Sequence, residues 1–407
     1  MTKSSSFQAV ILTSVAFGAL CAGAGTAQAQ LKQTDLASDV PGLAMITDSN
    51  LKNTWGVSAI PGATPFWISN QGTGTSSLFS VMGSTGIAPA NIFPPGPPPG
   101  TNFVTIPPPV VAGFPGPTGQ VSNPAAILNP AGASFDITPG SPALFIFANL
   151  NGTISAWNLN NVPSGNSATV KVTTSDAVYT GVTMNGAGNL LYAANGAGTG
   201  SIDVFNGSFA PTTVSGNFVD HSLPAGLVPF NVEDIGGKVY VAYAPAGHAN
   251  QIDATAGEGA VAVFDEGGNF VQQLVGSSPS DMLASPWGMA IAPAGFGPFG
   301  GDLLVGNFSF SLSQINAFNP TTGAFEGTIP VNVGGNMPGG LWDLTFGNGG
   351  SGDPMTLYLT DGLNGEASSP SGPGDTSCCR KWPLSSKTAT APMPAVAPIS
   401  AGRPAGA

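Results

Sequence analysis

A strand signature that recurs along the chain constrains the fold more than any other feature. Its clearest copy runs from 285 to 329, where Trp287-Gly288-Met289-Ala290-Ile291-Ala292, Asp302-Leu303-Leu304-Val305-Gly306-Asn307, Gln314-Ile315-Asn316-Ala317-Phe318-Asn319 and Ala324-Phe325-Glu326-Gly327-Thr328-Ile329 read as four short strands. Turn formers such as Gly300-Gly301 and Pro320-Thr321-Thr322-Gly323 separate them. The order reappears at Trp55-Gly56-Val57-Ser58 with 66–70 and 77–80, at 144–149 with 152–158, at 190–195 with 200–206, at 238–243 with 259–265, and at 341–346 with 357–361. The period is about 45 to 60 residues, the range of a small supersecondary unit.

Each unit is apolar on both faces, so it must stack on neighbours to bury them. Radial stacking of such meanders gives a propeller, whereas a β-helix repeats over a much shorter period and a sandwich does not repeat one signature along its length. The expected fold is therefore all-β, a β-propeller of about six four-stranded blades. The last blade is incomplete, because the repeat stops after Glu366 before a third strand. The Asn or Asp that follows the aromatic of each third strand is expected to form a turn, and the aromatic to be core. Composition agrees, since 58 Gly and 38 Pro with only 7% charged residues fit many tight turns rather than helices.

Outside the repeat, residues 1–29 carry Lys3, an apolar run from Ala9 to Ala24 and a closing Ala27-Gln28-Ala29, the layout of a secretory signal cleaved before Gln30. The run is too short and too rich in Ala, Gly and Ser for a bilayer-spanning helix, so a secreted or periplasmic product with no membrane insertion after cleavage is expected. The propeller domain then covers 30–366. Within it, 89–118 is a Pro/Gly-rich connection between blades, containing Pro94-Pro95-Gly96-Pro97-Pro98-Pro99-Gly100. Residues 367–407 hold Arg380, Lys381, Lys387 and Arg403, whereas the body from 30 to 366 has only Lys32, Lys52, Lys171 and Lys238 as basic residues. That shift, with the loss of strand period, marks a disordered tail that reads like a frameshifted end.

The net charge of −12, one unit more negative without Lys3, argues against nucleic acid as a partner. His221 and His248 are the two histidines, too few for a multi-histidine metal site, and the adjacent Cys378 and Cys379 make no ordinary disulfide framework. No Gly-x-Ser-x-Gly elbow is present.

Several stretches resemble a family of secreted bacterial propeller proteins of unassigned function, related in architecture to the NHL-repeat propellers. They are Asp48-Ser49-Asn50-Leu51-Lys52-Asn53-Thr54-Trp55-Gly56, Leu223-Pro224-Ala225-Gly226-Leu227-Val228-Pro229-Phe230-Asn231-Val232, Ser285-Pro286-Trp287-Gly288-Met289-Ala290-Ile291-Ala292-Pro293-Ala294-Gly295-Phe296-Gly297 and Gly340-Leu341-Trp342-Asp343. The resemblance covers about 31 to 366 and implies a fold and an exported location, with no activity attached. The family continues past 361–366 with a His-Gly-Leu-Phe-Gly-like strand that this chain lacks.

A propeller presents a central funnel lined by the loops that lead into its innermost strands. The candidate funnel residues are Asn53, Trp55, Asn231, Glu233, Asp234, Trp287, Trp342 and Asp343. Related-looking lactonase propellers hold a divalent cation there, and Asn231, Glu233 and Asp343 are the oxygens that would hold one such as calcium in this chain. The competing reading makes the tryptophans filler for the inner seams and the acids solvated loop ends. With few titratable groups, the first expectation is a binding or scaffold module for a protein, small-molecule or carbohydrate ligand, leaning away from an enzyme; the alternative is a metal-dependent hydrolase or lactonase acting in the funnel.

Overall fold

The computed structural model describes residues 5–12, 31–82, 86–91, 102–107, 116–159, 166–332 and 338–363. The leader junction at 27–29, the Pro94–Gly100 run and the tail 367–407 lie outside the described residues.

The chain is a β-propeller. Six antiparallel meanders follow one another around an axis, and their first strands are Thr54–Ser58, Pro117–Ser122, Tyr179–Met184, Leu227–Asp234, Pro286–Ile291 and Pro338–Phe346. Each of these inner strands packs on the next, and the last packs on the first, which closes the ring. Five of the sheets carry four or five strands and make full blades, one fewer than the six or so four-stranded blades expected. The third stops at three, Tyr179–Met184, Leu190–Asn195 and Ser201–Asn206. Where a fourth strand was expected, the chain makes a bridge from Phe205 to Pro211 with two hydrogen bonds, from Asn206 N to Ala210 O and from Thr212 N to Val204 O, then crosses to the fourth sheet, where Gly216 N donates to Gly267 O. Pro211 and Gly216 interrupt any alternation there, and Pro has no N–H to donate to a ladder.

Period-two alternation explains why every blade is apolar on both faces. In Phe145–Asn149 of the second sheet, Phe145 and Phe147 join Trp67, Leu78 and Trp157 in the seam with the first sheet. Ile146 and Ala148 join Tyr179, Val182 and Phe205 in the seam with the third. In Lys238–Pro245 of the fourth sheet, Val239, Val241 and Tyr243 face the third sheet, while Tyr240 packs with Met289, Leu303 and Val305 of the fifth. Comparable clusters fill the junctions of fifth with sixth and sixth with first.

The expected turn role holds for Asn206, Asp265 and Asn319, whereas Asn158 Nδ2 donates back to Pro142 O. Asn206 Oδ1 accepts the N–H groups of Ser208 and Ala210, Asn319 Oδ1 those of Thr321 and Thr322, and Asp265 Oδ1 that of Asn269. These side chains substitute for backbone acceptors in the turn that follows the third strand.

The sixth sheet is completed from the other end of the chain. Its order is Pro338–Phe346, Leu357–Leu363, Ser5–Leu12, Leu31–Ser38, with Ile46–Thr47 added in parallel. Residues 5–12, read above as part of a leader, thus occupy the place of the third strand that the repeat fails to supply.

Candidate functional site

The inner strands approach one another through one repeated position. Gly56, Gly119, Gly181 and Gly288 stand at this place in the first, second, third and fifth sheets, and Asn231 and Asp343 in the fourth and sixth. A Cβ on Gly119 would lie 2.7 Å from Val182 N of the next sheet, and one on Gly288 would lie 2.7 Å from Leu344 N. Glycine is thus required by close backbone approach at those seams. At the two exceptions the side chain spans the seam instead. Asn231 Nδ2 donates to Trp287 O over 2.9 Å, and Asp343 Oδ2 accepts the N–H of Val57 at 2.5 Å.

Next to this position sit the aromatics. Trp55, Trp287 and Trp342, from three different sheets, meet at the axis: Trp55 and Trp342 stack with centroids 3.5 Å apart, and Trp287 meets both edge-on at 5.9 and 5.8 Å. Phe230 of the fourth sheet and Phe308 complete the cluster, in which all five rings are buried. Trp287 Nε1 reaches across to donate to Thr180 O of the third sheet at 3.1 Å. Trp55 Nε1 donates to Asn53 Oδ1, and Asn53 holds that pose at a φ of 46° while its Nδ2 donates to Gln71 Oε1. Asn is among the few residues that tolerate this backbone region. The short helix His248–Asp253 covers the cluster, with Ile252 and Phe310 packed against it and His248 5.6 Å from Phe308. Of the expected funnel residues, Asn53, Trp55, Trp287 and Trp342 therefore form a plug.

Further along the inner strands lies a carboxylate pair. Glu233 follows Asn231 by two residues, so its side chain shares that face, and Asn231 Nδ2 approaches Glu233 Oε1 at 3.5 Å. Glu233 keeps partial solvent access although it sits in the middle of the molecule. Burial pushes its carboxyl well above the usual range, and the charge of Asp343 pushes it further. Burial also raises Asp343, opposed by the N–H groups of Val57 and Leu344 that its two oxygens accept. Asp343 is held further by its own N–H, which donates to Thr360 Oγ1 at 2.9 Å. Asp234 does not join them. Adjacent residues of a strand point to opposite faces, and Asp234 instead accepts the N–H of Gly237 in its hairpin, beside Glu266.

The trio Asn231, Glu233 and Asp343 is a poor cage for a hard cation. Both Asp343 oxygens already accept backbone N–H groups, and among the described residues no group of three or more His, Cys, Asp or Glu is placed to hold a metal. Burial thus favours the protonated form of both carboxyls.

A second site escaped the sequence reading. Beside the short third sheet is a cavity of about 290 Å³ lined by Thr174, Tyr179, Asp203, Phe205, Thr212 and Phe218, among others. Asp203 Oδ2 accepts Tyr179 OH at 2.9 Å and Asn195 Nδ2 at 3.1 Å, and its Oδ1 accepts Ser201 Oγ at 2.8 Å. Burial and the nearby Asp203 charge keep the Tyr179 phenol protonated as a donor. The missing fourth strand leaves the room, and only the interrupted alternation at 210–218 signals it in the sequence.

No family model matches the chain. It is similar to uncharacterized protein L690 of Acanthamoeba polyphaga mimivirus, 29% identical over 226 residues that cover 52% of this chain and 57% of that protein. Uncharacterized protein R640 of the same virus is 26% identical over 194 residues, covering 46% of this chain and 35% of that protein. The chain thus spans about half or less of the length of these relatives. Among solved structures, hydrazine synthase of Kuenenia stuttgartiensis aligns with a TM-score of 0.44 at 14% identity, covering 79% of this chain and 76% of that one. XC5397 of Xanthomonas campestris, described as a gluconolactonase, aligns with a TM-score of 0.34 at 14% identity, covering 54% of this chain and 82% of that one.

Proposed function

We propose that this chain is an exported binding or scaffold propeller that engages its ligand away from the axis. The aromatic plug carries the reading: Trp55, Phe230, Trp287, Phe308 and Trp342 fill the place where a funnel ligand would sit. The cavity beside the third sheet supports a small-molecule or carbohydrate ligand instead. It combines the Phe205 and Phe218 rings with the hydroxyls of Thr174, Thr212 and Tyr179, and its size is near the lower end of ligand pockets. The acidic balance and the leader-like start of the sequence favour a secreted or periplasmic product that does not bind nucleic acid.

A panel of mono- and disaccharides, screened by ligand-observed NMR against the full chain, tests the cavity. Thr212→Trp is expected to fill it and abolish any binding found, with the melting temperature unchanged; a panel without binders, or binding indifferent to this change, overturns the assignment. N-terminal sequencing of protein recovered from the periplasm and medium of an expressing bacterium tests export. Product confined to the cytosol with Met1 or Thr2 first would overturn it.

The hydrolase alternative draws on Glu233 and Asp343, whose raised affinity for protons is a common property of catalytic carboxyls. Elemental analysis separates the readings: stoichiometric calcium lost on Glu233→Gln favours the hydrolase, and metal-free folded protein removes its metal-centred form.

A further inference from the structure

The third place in the sixth sheet is the one that the described chain does not supply in sequence. In the second to fifth sheets this place is filled in sequence, by Thr153–Trp157, Ser201–Asn206, Ala260–Asp265 and Ile315–Phe318. Each of these segments finishes on an aromatic and an Asn or Asp: Trp157-Asn158, Phe205-Asn206, Phe264-Asp265 and Phe318-Asn319. In the sixth sheet the place is taken by Ser5–Leu12, which pairs antiparallel with Leu357–Leu363 from Ser5 opposite Gly362 to Val10 opposite Leu357. It pairs antiparallel with Leu31–Ser38 as well, from Ser6 opposite Ser38 to Leu12 opposite Leu31, with a register shift between Phe7 and Gln8. Its sequence, Ser-Ser-Phe-Gln-Ala-Val-Ile-Leu, lacks the aromatic and Asn or Asp ending.

The two flanking strands do not pair with each other; both pair only through Ser5–Leu12. Both are also anchored independently of it. Leu357 and Leu359 are buried in the seam with the fifth sheet, and Tyr358, Leu36 and Ala37 in the seam with the first. Gln33 ties the outer strand to the connection that leaves the fifth sheet, its Nε2 donating to Asn332 O and its Oε1 accepting Asn332 N–H, both at 2.9 Å. Removing residues 5–12 would therefore leave two fixed strands with facing rows of backbone donors and acceptors, one strand-width apart. Such paired edges recognise an extended polypeptide by strand addition.

We propose that this place is a strand-acceptor slot. Residues 5–12 fill it while the N-terminal segment is attached, and once that segment is removed it takes an extended strand of about eight residues from another protein. The favoured strand is free of Pro, alternates small and branched apolar residues, and ends in an aromatic followed by Asn or Asp, as the third strands of the second to fifth sheets do. The inference rests on removal of the leader under the proposed function and names the class of partner that a scaffold propeller of this build would hold.

The test uses the full chain carrying a specific protease sequence after Ala29, cut after folding. The expected result is that the 1–29 fragment co-elutes with the body on gel filtration. A synthetic peptide with the sequence of residues 259–265, Gly-Ala-Val-Ala-Val-Phe-Asp, is then expected to displace it at one per chain. Spontaneous loss of the fragment, with hydrogen-exchange protection of Leu357–Leu363 and Leu31–Ser38 unchanged and no peptide bound, overturns the slot. Dimers formed by the cut chain in place of peptide binding overturn the choice of partner. Ala9→Pro in the uncut chain removes a ladder donor without cutting. It is expected to lower protection in the sixth sheet alone, with recovery on adding the peptide, and unchanged protection counts against the proposal. Cutting is done in vitro, so failure here is distinct from failure of export, which N-terminal sequencing reads separately.

Discussion

Single residues decide how tightly the ring closes. Gly288→Ala places a methyl group 2.7 Å from Leu344 N, against backbone that has no rotamer to yield. The expected cost is roughly 1–3 kcal/mol or more, the range for overpacking, read as a lower urea midpoint. Gly306→Ala, whose nearest neighbour would be Leu341 Cβ at 3.5 Å, is the control and is expected to be close to neutral. The Glu233–Asp343 pair makes stability depend on pH. Both carboxyls have folded pKa values above their ordinary ones, so the folded state holds more protons than the unfolded state in that interval. Stability is therefore expected to fall as pH rises from about 4 to about 7, the interval set by the Asp343 shift. Glu233→Gln should flatten this slope and raise the melting temperature at pH 8. An unchanged slope in a melting series from pH 4 to 9 would show that the two carboxyls do not sense each other.

At the scale of strands and sheets, the third sheet is the weak point. Ser201–Asn206 has a full partner on one side and only the contacts at Val204, Phe205 and Asn206 on the other, whereas Ala260–Asp265 is paired along both edges. Amides of Ser201–Asn206 that face away from Leu190–Asn195 are expected to exchange faster than those of Ala260–Asp265 in hydrogen-exchange mass spectrometry. Equal protection would mean that the segment 210–218 closes the edge more fully than its hydrogen bonds indicate. The repeat was readable here because both-face burial imposes an apolar run of fixed length, as in Lys-Val-Tyr-Val-Ala-Tyr at 238–243. The gap in the third sheet was not, because Phe209, Val214 and Phe218 supply apolar residues without strand spacing. The grouping of Trp55, Trp287 and Trp342 followed from their shared place beside the inner-strand position. Separating Glu233 from Asp234 required the register as well as the sequence. The use of residues 5–12 was hidden altogether, since an apolar run after a basic residue has the same composition as a leader and as a buried strand.

Over the whole molecule, the ring is joined by residues from its two ends. Thr360 Oγ1 donates to Trp55 O across 305 positions of chain, Gln33 bonds Asn332 across 299, and Ser5–Leu12 pairs with Leu357–Leu363. Contacts between distant positions form slowly because the intervening chain must first be ordered. Refolding is therefore expected to show a slow final phase in which the sixth sheet gains exchange protection last; synchronous protection of all sheets would refute this order.

That geometry also gives the first residues of the chain a role in timing. While they are held elsewhere, by a ribosome-bound factor or a translocation channel, the inner strands still meet around the axis, but Leu357–Leu363 and Leu31–Ser38 keep facing, unpaired edges. Edges of this kind invite chaperones and pairing with other chains. Release of the same eight residues is what would cover them.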